Sequence, residues 1–464
     1  MKPYDRPLAA QDSLTVTRTL LHEQGVMSSL TRSQIKNVQT LKLRAMLAYA
    51  KKNSPWYART LSDIEPRTFT LEQLKMLPIL TKRDMMDNWN DIVTDRRLTI
   101  DDASQFLMKE QGYDLLHGHH IFASGGSSGR RGMFVWDSNE LAATLAALYR
   151  YQYRDEFDYG AAIPSEPLMV VSIGALRPVH LSETVLSFPL VPQMNARAFS
   201  ALAPIDELVS SLNDCQPTHL NGYPSVVARL AAKAIKGVLK IYPKRILVGA
   251  EPLLESMADC IHQAWPGALL INNWGSTDAG IHAVGCDYSG KNLHVLEDMN
   301  IFEFVDEHNN PVPLGVCSEK VLVTNLFRKS MPIFRYEMDD RVLALKERCI
   351  CGSEFGLISS IDGRHEDDFL YGEVIVIAEV FENSIMVESG VDEYQVFQTK
   401  QGADVLIVPD KGATIDTVRM KTDLMTQFKA LGIREPEINI YLVDELKRHA
   451  ETGKLKRFKC LPGL

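Results

Sequence analysis

The chain has 464 residues, enough for one large domain and a smaller one. Hydrophobic residues make up 45% and charged residues 23%, an ordinary globular balance, and no run approaches the ~20 apolar residues that a membrane helix needs. Asp plus Glu (59) outnumber Lys plus Arg (50), and the net charge of −9 argues against nucleic acid or an anionic membrane as the main partner.

The first residues, MKPYDRPLAAQDSLTVTRTL, hold no apolar core of signal-peptide length, so the expected location is the cytoplasm. Residues 1–100 read as helices joined by loops. In SQIKNVQTLKLRAMLAYAKKN (33–53), Leu41, Leu43, Met46, Leu47 and Ala50 recur at helical spacing, and Ser54-Pro55 opens a further turn or helix. His117, His119 and His120 follow in LLHGHHIF, where neighbouring strand residues face opposite ways, so they are expected to be structural or solvent-facing.

FASGGSSGRRGMF (122–134) comes next. Glycines let successive N–H groups point at one anion, Ser124, Ser127 and Ser128 add hydroxyl donors, and Arg130 and Arg131 add charge. The GxxxxGK[ST] spacing of a Walker loop is absent. SNELAATLAALYRY then predicts a helix with Ser138 as its N-cap.

LMVVSIG (168–174), RILVGA (245–250) and ALLINNW (268–274) read as buried strands, each followed by a loop and a helical pattern. Such alternation predicts an α/β fold with largely parallel sheets. MNIFEFVDEHNNPVP (299–313) and EKVLVTNLF (319–327) predict a hairpin with an Asn-Asn-Pro turn. The chain ends in a small α+β unit, with strands EVIVIAEVF, DVLIVPD and EINIYLV and helix TVRMKTDLMTQFKALG. The charged stretch IDGRHEDD divides the chain into units of 1–363 and 364–464.

Five segments carry a resemblance. They are the loop at 124–132, VGAEPL (248–253), NNWGSTDAG (272–280), MPIFRYEMDDRV (331–342) and ETGKLKRFK (451–459). In order and content they resemble the motifs of the adenylate-forming superfamily (acyl-CoA synthetases, adenylation domains and luciferases), and within it the phenylacetate–CoA ligase branch. The resemblance implies a large multilayer domain with mixed and parallel sheets and a small mobile α+β domain. It implies ATP and Mg²⁺ turning an aryl or arylacetic acid into an acyl-AMP, then transfer to a thiol, most simply coenzyme A. A stand-alone adenylation enzyme that loads a carrier protein or an amine is the alternative, and homodimers are common in the branch. A non-enzymatic nucleotide- or zinc-binding protein on the same fold is a third reading.

Carried over position by position, the resemblance assigns roles. Ser124, Gly125, Gly126, Ser127, Ser128 and Gly129 would hold phosphate. Gly249, Ala250, Glu251 and Pro252 would lie on the adenine side, with Asn273, Trp274, Gly275 and Ser276 and, near the hinge, Arg364. Trp274 would flank the adenine or the acyl pocket, and Thr277 would touch phosphate. Asp278 stands where the family has a Glu that holds Mg²⁺, and Asp is one methylene shorter but still a hard oxygen ligand. Asp340, whose neighbour Asp339 is easily mistaken for it, would hold the ribose hydroxyls, since a carboxylate accepts two hydrogen bonds well. Lys454 would contact the reacting carboxylate and the α-phosphate. Attack there builds charge on phosphorus that positioned cations and N–H groups must receive. Tyr223 and Pro224, in GYPSVVARLA, would line the acyl pocket.

The sequence departs from the family in places. Arg130 and Arg131 replace the loop lysine, and Glu337 and Met338 replace Arg-Thr. GRHEDD (363–368) has one residue more than Gly-Arg-x-Asp-Asp, which leaves Glu366, Asp367 and Asp368 open as the hinge. Apart from the motifs, Cys286, His294, Cys349 and Cys351 offer three thiolates and an imidazole, a set that suits tetrahedral Zn²⁺; some members of the branch carry it as a structural site. Seven cysteines in a large chain do not suggest a disulfide framework, and Cys215, Cys260, Cys317 and Cys460 are expected to be packing residues.

Overall fold

A computed structural model of the chain describes residues 24–108, 115–124, 132–151, 168–175, 181, 194–359, 361, 367–372, 374–376, 378–385, 388, 390–409, 412–448 and 455–461. Helix α1 (Arg32–Asn53) begins with a capping box in which Thr31 and Gln34 satisfy each other's backbone N–H. Leu43, Met46, Leu47 and Ala50 point into the main core, whereas Leu41 is turned outward and is 66% exposed. Ser54 caps α2 (Pro55–Thr60), with proline in its first turn. Thr81 caps α3 (Lys82–Asp87), and α4 (Ile100–Met108) follows.

Strands β1 (His120–Ala123) and β2 (Met133–Trp136) form an antiparallel hairpin, and residues 125–131 at its tip lie outside the described residues. Helix α5 (Ser138–Leu148) is capped by Asp137 rather than Ser138. The Asp137 carboxylate accepts the Glu140 N–H at 2.8 Å, and Glu140 returns the bond, which moves the serine to the first helical position.

The main sheet is built from β3 (Leu168–Gly174), β4 (Met194–Ser200), β5 (His219–Gly222), β6 (Arg245–Gly249), β7 (Leu269–Ser276), β8 (Gly280–Val284), β9 (Leu293–Val295) and, later in the chain, Leu357–Ile358. Its first five strands lie in the order β4-β3-β5-β6-β7 and are parallel. The rest continue antiparallel beyond β7. Helices α6 (Ile205–Cys215), α7 (Pro224–Ile235) and α8 (Glu255–Ala264) alternate with the parallel strands. Successive strand residues enter different cores: Val170 and Leu247 belong to the main core, Val171, Ile246 and Val248 to a second core under α6–α8. A sheet covered on both faces explains why these strands read as continuous apolar runs.

A three-stranded antiparallel sheet joins β10 (Asn300–Val305), β11 (Lys320–Asn325) and β12 (Tyr336–Met338). The β10–β11 pairing matches the expected hairpin, but its connection is longer than an Asn-Asn-Pro turn. Asp306 accepts the N–H groups of His308 and Asn310, and Asn309 has φ +67°; the chain then runs on through Pro313 and Gly315 before β11 starts.

The last strands follow: β13 (Leu357–Ile358, the edge of the main sheet), β14 (Phe369–Tyr371), β15 (Val374–Val376), β16 (Val391–Gln398), β17 (Gly402–Pro409), β18 (Glu437–Leu442) and β19 (Phe458–Lys459). With α9 (Ala378–Ile385) and α10 (Thr417–Ala430), β14–β19 surround a third core that includes Phe369, Phe381, Phe428 and Phe458. EVIVIAEVF is not one strand. The extended part stops at Val376, and a helix buries Phe381 and Ile385 at i, i+4 spacing. Among the described residues no helix is long and apolar enough to cross a membrane.

Candidate active site

The motif segments gather at the carboxyl ends of the parallel strands, where open α/β sheets bind their ligands. Ser124 N–H donates to the Gly132 carbonyl at 2.9 Å and closes the base of the glycine-serine loop. Its Oγ accepts from Gly132 N–H and from Lys82 Nζ, each at 3.1 Å. Lys82, from the start of α3, thus places an ammonium at a loop whose own sequence has no lysine. Sequence reading missed it, because nothing local to TKRDMM points 42 residues ahead.

Trp136, at the end of β2, reaches the next segment: its Nε1 donates to the Thr277 carbonyl at 3.3 Å. The Arg328 guanidinium lies over the Trp136 ring, 3.8 Å from its centroid. Arg328 is fully buried and donates to the Val135 carbonyl at 2.7 Å and to the Asp278 carbonyl. Burial pushes its pKa down to about 10, while Glu140 and Asp278 pull the other way, so it stays a cation. Gly280 (φ +88°) completes the turn; a Cβ there would meet the Trp136 ring at 2.9 Å, so the position needs glycine for both reasons.

Asp278 Oδ2 accepts the Tyr336 hydroxyl at 2.6 Å, which brings in MPIFRYEMDD. Burial, then the Asp278 charge, holds the Tyr336 phenol far above its ordinary range, so it remains a donor. Asp340 is 6% exposed while Asp339 is exposed, so the two neighbours differ in environment.

Ser276 Oγ accepts the Ala279 N–H at 3.1 Å and lies 3.0 Å from His282 Nε2. His282 is fully buried, which pushes its pKa down to about 3, and its Nδ1 has no hydrogen-bond partner among the described residues. Its ring lies 4.7 Å from Trp274 and 5.7 Å from Phe302. Trp274 is therefore one wall of an aromatic cluster and is 5% exposed.

The VGAEPL segment leaves β6 at Gly249, where a Cβ would fall 2.4 Å from the Asn273 amide; that amide donates to the Val248 carbonyl at 2.8 Å. Ala250 has φ +66°, a conformation that costs an L-residue on the order of 1 kcal/mol. Glu251 Oε2 accepts the Ser225 N–H at 3.4 Å, and Oε1 accepts the Leu455 N–H at 3.0 Å. Leu455 follows Lys454, which lies outside the described residues with Gly125–Gly129, Arg364 and Glu366. Pro252 is exposed. Tyr223 and Pro224 begin α7; the tyrosine is packed in the second core, its hydroxyl accepting the Ala175 N–H at 3.1 Å. Asp368, one of the three hinge candidates, pairs with Arg341 at 2.9 Å.

A second cluster stands at the other end of β8. The ligand atoms of Cys286, His294, Cys349 and Cys351 all lie within 4.8 Å of one another. Cys286 Sγ is 3.6 Å from Cys349 Sγ, and Cys351 Sγ is 3.4 Å from His294 Nε2. The Cys286 and His294 contacts hold the Cys351 thiol well below its usual range, favouring the thiolate that binds metals. Tyr151 stacks on His294 at 4.7 Å. His119 faces Asp95 at 3.8 Å and His120 faces Ser138 at 3.4 Å, so the histidine run converges on no common point. Cys215 is packed in the second core, but Cys317 is exposed, against expectation, on the irregular stretch before β11.

No protein-family model matches the chain. It is 22% identical over 415 residues to phenylacetate-coenzyme A ligase of Thermus thermophilus, covering 87% of this chain and 85% of the relative. It is 22% identical over 373 residues to protein CapK of Staphylococcus aureus, covering 78% and 75%. The solved structure of 2-hydroxyisobutyryl-CoA ligase in the postadenylation state, in complex with R3-HIB-AMP, matches with a TM-score of 0.71 at 19% identity, over 94% of this chain and 91% of that one. In fold over nearly its whole length, and in sequence over most of it, the chain is similar to adenylate-forming ligases, phenylacetate-coenzyme A ligase among them.

Proposed function

We propose that the protein is an ATP-dependent, AMP-forming ligase that activates a carboxylic acid as an acyl-adenylate and then transfers the acyl group to coenzyme A. One observation carries this reading: Trp136, Arg328 and Tyr336 bind the loop hairpin, the Thr277–Asp278 turn and the Tyr336–Asp340 segment into one junction. The backbone of Ser124 and Gly125–Gly129, with Lys82, receives the phosphates. Asp340 takes the ribose hydroxyls, and the Gly249–Pro252 turn borders the adenine. Asp278, half-buried with one oxygen on Tyr336, is the residue that would hold Mg²⁺ together with the phosphates, and the ion bound there neutralises phosphate charge. Lys454, carried by a C-terminal unit that follows a boundary near residue 363, supplies the cation at the reacting carboxylate. The separate core around Phe381 and Phe428 supports such a unit.

An arylacetic or aryl acid is the substrate class favoured by the name of the Thermus thermophilus relative. ATP and coenzyme A as substrates suit a cytoplasmic enzyme. Cys286, His294, Cys349 and Cys351 would hold one structural Zn²⁺; their approach within 4.8 Å and the buried, stacked imidazole fit a tetrahedral thiolate–imidazole site.

The test is pyrophosphate release from ATP with a panel of carboxylic acids, run without a thiol, with coenzyme A, and with an acyl-carrier protein. Release with an arylacetic acid that rises with coenzyme A is expected. A rise only with the carrier protein would move the second step to that acceptor, and no release with any acid would overturn the ligase reading.

A further inference from the structure

Tyr336 opens β12, and its backbone is gripped from both sides. Val323 of β11 pairs with it on one side. On the other, the Leu80 carbonyl accepts the Glu337 N–H at 3.0 Å, and the Leu80 N–H donates to the Arg335 carbonyl at 3.1 Å. Arg335 is left-handed (φ +47°), and its guanidinium forks onto the Glu303 carboxylate at 2.9 and 3.0 Å while donating to the Leu77 carbonyl at 2.9 Å. Tyr336 itself is 1% exposed. A side chain locked by packing on such a frame holds its hydroxyl in one place. That hydroxyl donates to Asp278 Oδ2 at 2.6 Å. The second carboxylate oxygen, Oδ1, receives no hydrogen bond among the described residues, and Asp278 is half-buried. Arg328 holds the Asp278 carbonyl, so the backbone of this residue is fixed as well.

We infer that Tyr336 is a positioning residue that makes the site selective for Mg²⁺ over Ca²⁺: it occupies Oδ2 and leaves Asp278 a single oxygen to offer. The inference rests on the proposed reading of Asp278 as the metal-holding residue. A hard carboxylate oxygen without a donor fits either ion, so the choice between them lies in how many oxygens are within reach. Mg²⁺ is small and octahedral, with ligands at ~2.0–2.1 Å, and it fills its shell with water and phosphate oxygens around one carboxylate oxygen. Ca²⁺ takes ~6–8 oxygens at ~2.3–2.6 Å and readily draws on both oxygens of one carboxylate. A two-oxygen grip on Asp278 has to break the Tyr336 bond. It then leaves a buried hydroxyl unpaired on a frame that cannot swing away. The tyrosine therefore opposes Ca²⁺ and leaves Mg²⁺ unhindered.

The experiment uses the full chain and compares wild type, Tyr336→Phe and Asp278→Asn. Binding of ATP is measured by titration calorimetry with Mg²⁺, Mn²⁺ or Ca²⁺ and no acid present, so no turnover enters the reading. ATP–pyrophosphate exchange in Mg²⁺ is then titrated with Ca²⁺. Tyr336→Phe should narrow the ratio of Mg²⁺–ATP to Ca²⁺–ATP affinity about tenfold, chiefly through tighter Ca²⁺–ATP binding, because no buried hydroxyl is then left unpaired. The Ca²⁺ concentration that halves exchange should fall by a similar factor. Mn²⁺, octahedral like Mg²⁺, should follow Mg²⁺ in both proteins. A tyrosine that served only the fold would weaken binding with all three ions alike. That result, an unchanged Mg²⁺-to-Ca²⁺ ratio, or a shift with Mn²⁺ as large as that with Ca²⁺ would overturn the inference. Asp278→Asn separates it from the reading on which it rests. If the asparagine variant binds every metal–ATP complex as wild type does, the metal reading of Asp278 fails. If it weakens them all while Tyr336→Phe leaves the ratio unchanged, only the role of the tyrosine in selectivity is lost.

Discussion

His282 shows how a single buried group makes stability depend on pH. Its imidazole is held to about 3 by burial and is neutral in the fold, whereas an unfolded histidine titrates near ~6.5. Below ~6.5 the unfolded chain takes up a proton that the fold refuses, so stability is present at neutral pH and is lost as pH falls toward 3. His219, pushed down to about 4 by burial, then by Arg245 and Lys244, acts with the same sign. Urea unfolding at a series of pH values should show stability dropping by on the order of 1 kcal/mol per pH unit per histidine between pH 6 and 5. His282→Gln should flatten that slope by about half, and an unchanged slope would mean that the imidazole is charged in the fold. None of this was legible in GIHAVGC. The residue becomes buried because β8 lies in the middle of the main sheet, with Trp274 and Phe302 over the ring, and no local pattern encodes that.

Elements are joined here by a few residues brought from far apart, and Arg328 is the clearest case. It donates to carbonyls on β2 and on the Asp278 turn while stacking on Trp136. Arg328→Met keeps much of the stem but removes the guanidinium from the Asp278 and Val135 carbonyls, of which Val135 keeps the Ser330 hydroxyl at 2.8 Å. It should cost roughly 2–4 kcal/mol in urea unfolding and remove most adenylation. A variant of wild-type stability and rate would mean that the hairpin and the turn are held by other contacts. The cysteine cluster joins elements in the same way, linking the ends of β8 and β9 to the irregular segment before β13. Elemental analysis should find one zinc per chain. Chelation should lower Tm and raise hydrogen exchange around 286–296 and 345–358, leaving β16–β18 protected. Metal-free protein with unchanged Tm and exchange would overturn the site. At this scale the sequence was informative wherever a pattern is local. The α1 stripe, the Ser54-Pro55 start and the apolar parallel strands depend on residues within one turn or one strand. EVIVIAEVF misled because consecutive aliphatic residues satisfy both a short buried strand and a helix start, and tertiary packing of Phe381 and Ile385 decided between them. Lys82 and Arg328 were silent for the opposite reason: their partners are tens to hundreds of residues away.

Over the whole molecule, the main body and the third core meet through contacts that a ligase with two half-reactions can use as a switch. Besides Glu251–Leu455, Asp368 is held by Arg341, which directly follows Asp340. Its guanidinium lies 2.9 Å from Glu319 Oε2 within the main body and 2.9 Å from Asp368 Oδ2 at the start of the third-core unit. Asp368 is nearly buried, so removing its partner leaves a poorly solvated carboxylate and favours a conformation in which that carboxylate reaches water. Arg341→Ala should therefore speed limited proteolysis near residues 360–370 and slow ATP–pyrophosphate exchange several-fold, with thioester formation from prepared acyl-adenylate less affected. Arg341→Lys, which keeps the charge but not the paired fork, should fall between. Equal losses in both half-reactions, with proteolysis unchanged, would show that Arg341 serves only to support the ribose-side segment. Faster proteolysis with a selective loss of adenylation would instead tie the nucleotide segment to the placement of the C-terminal unit through one buried ion pair.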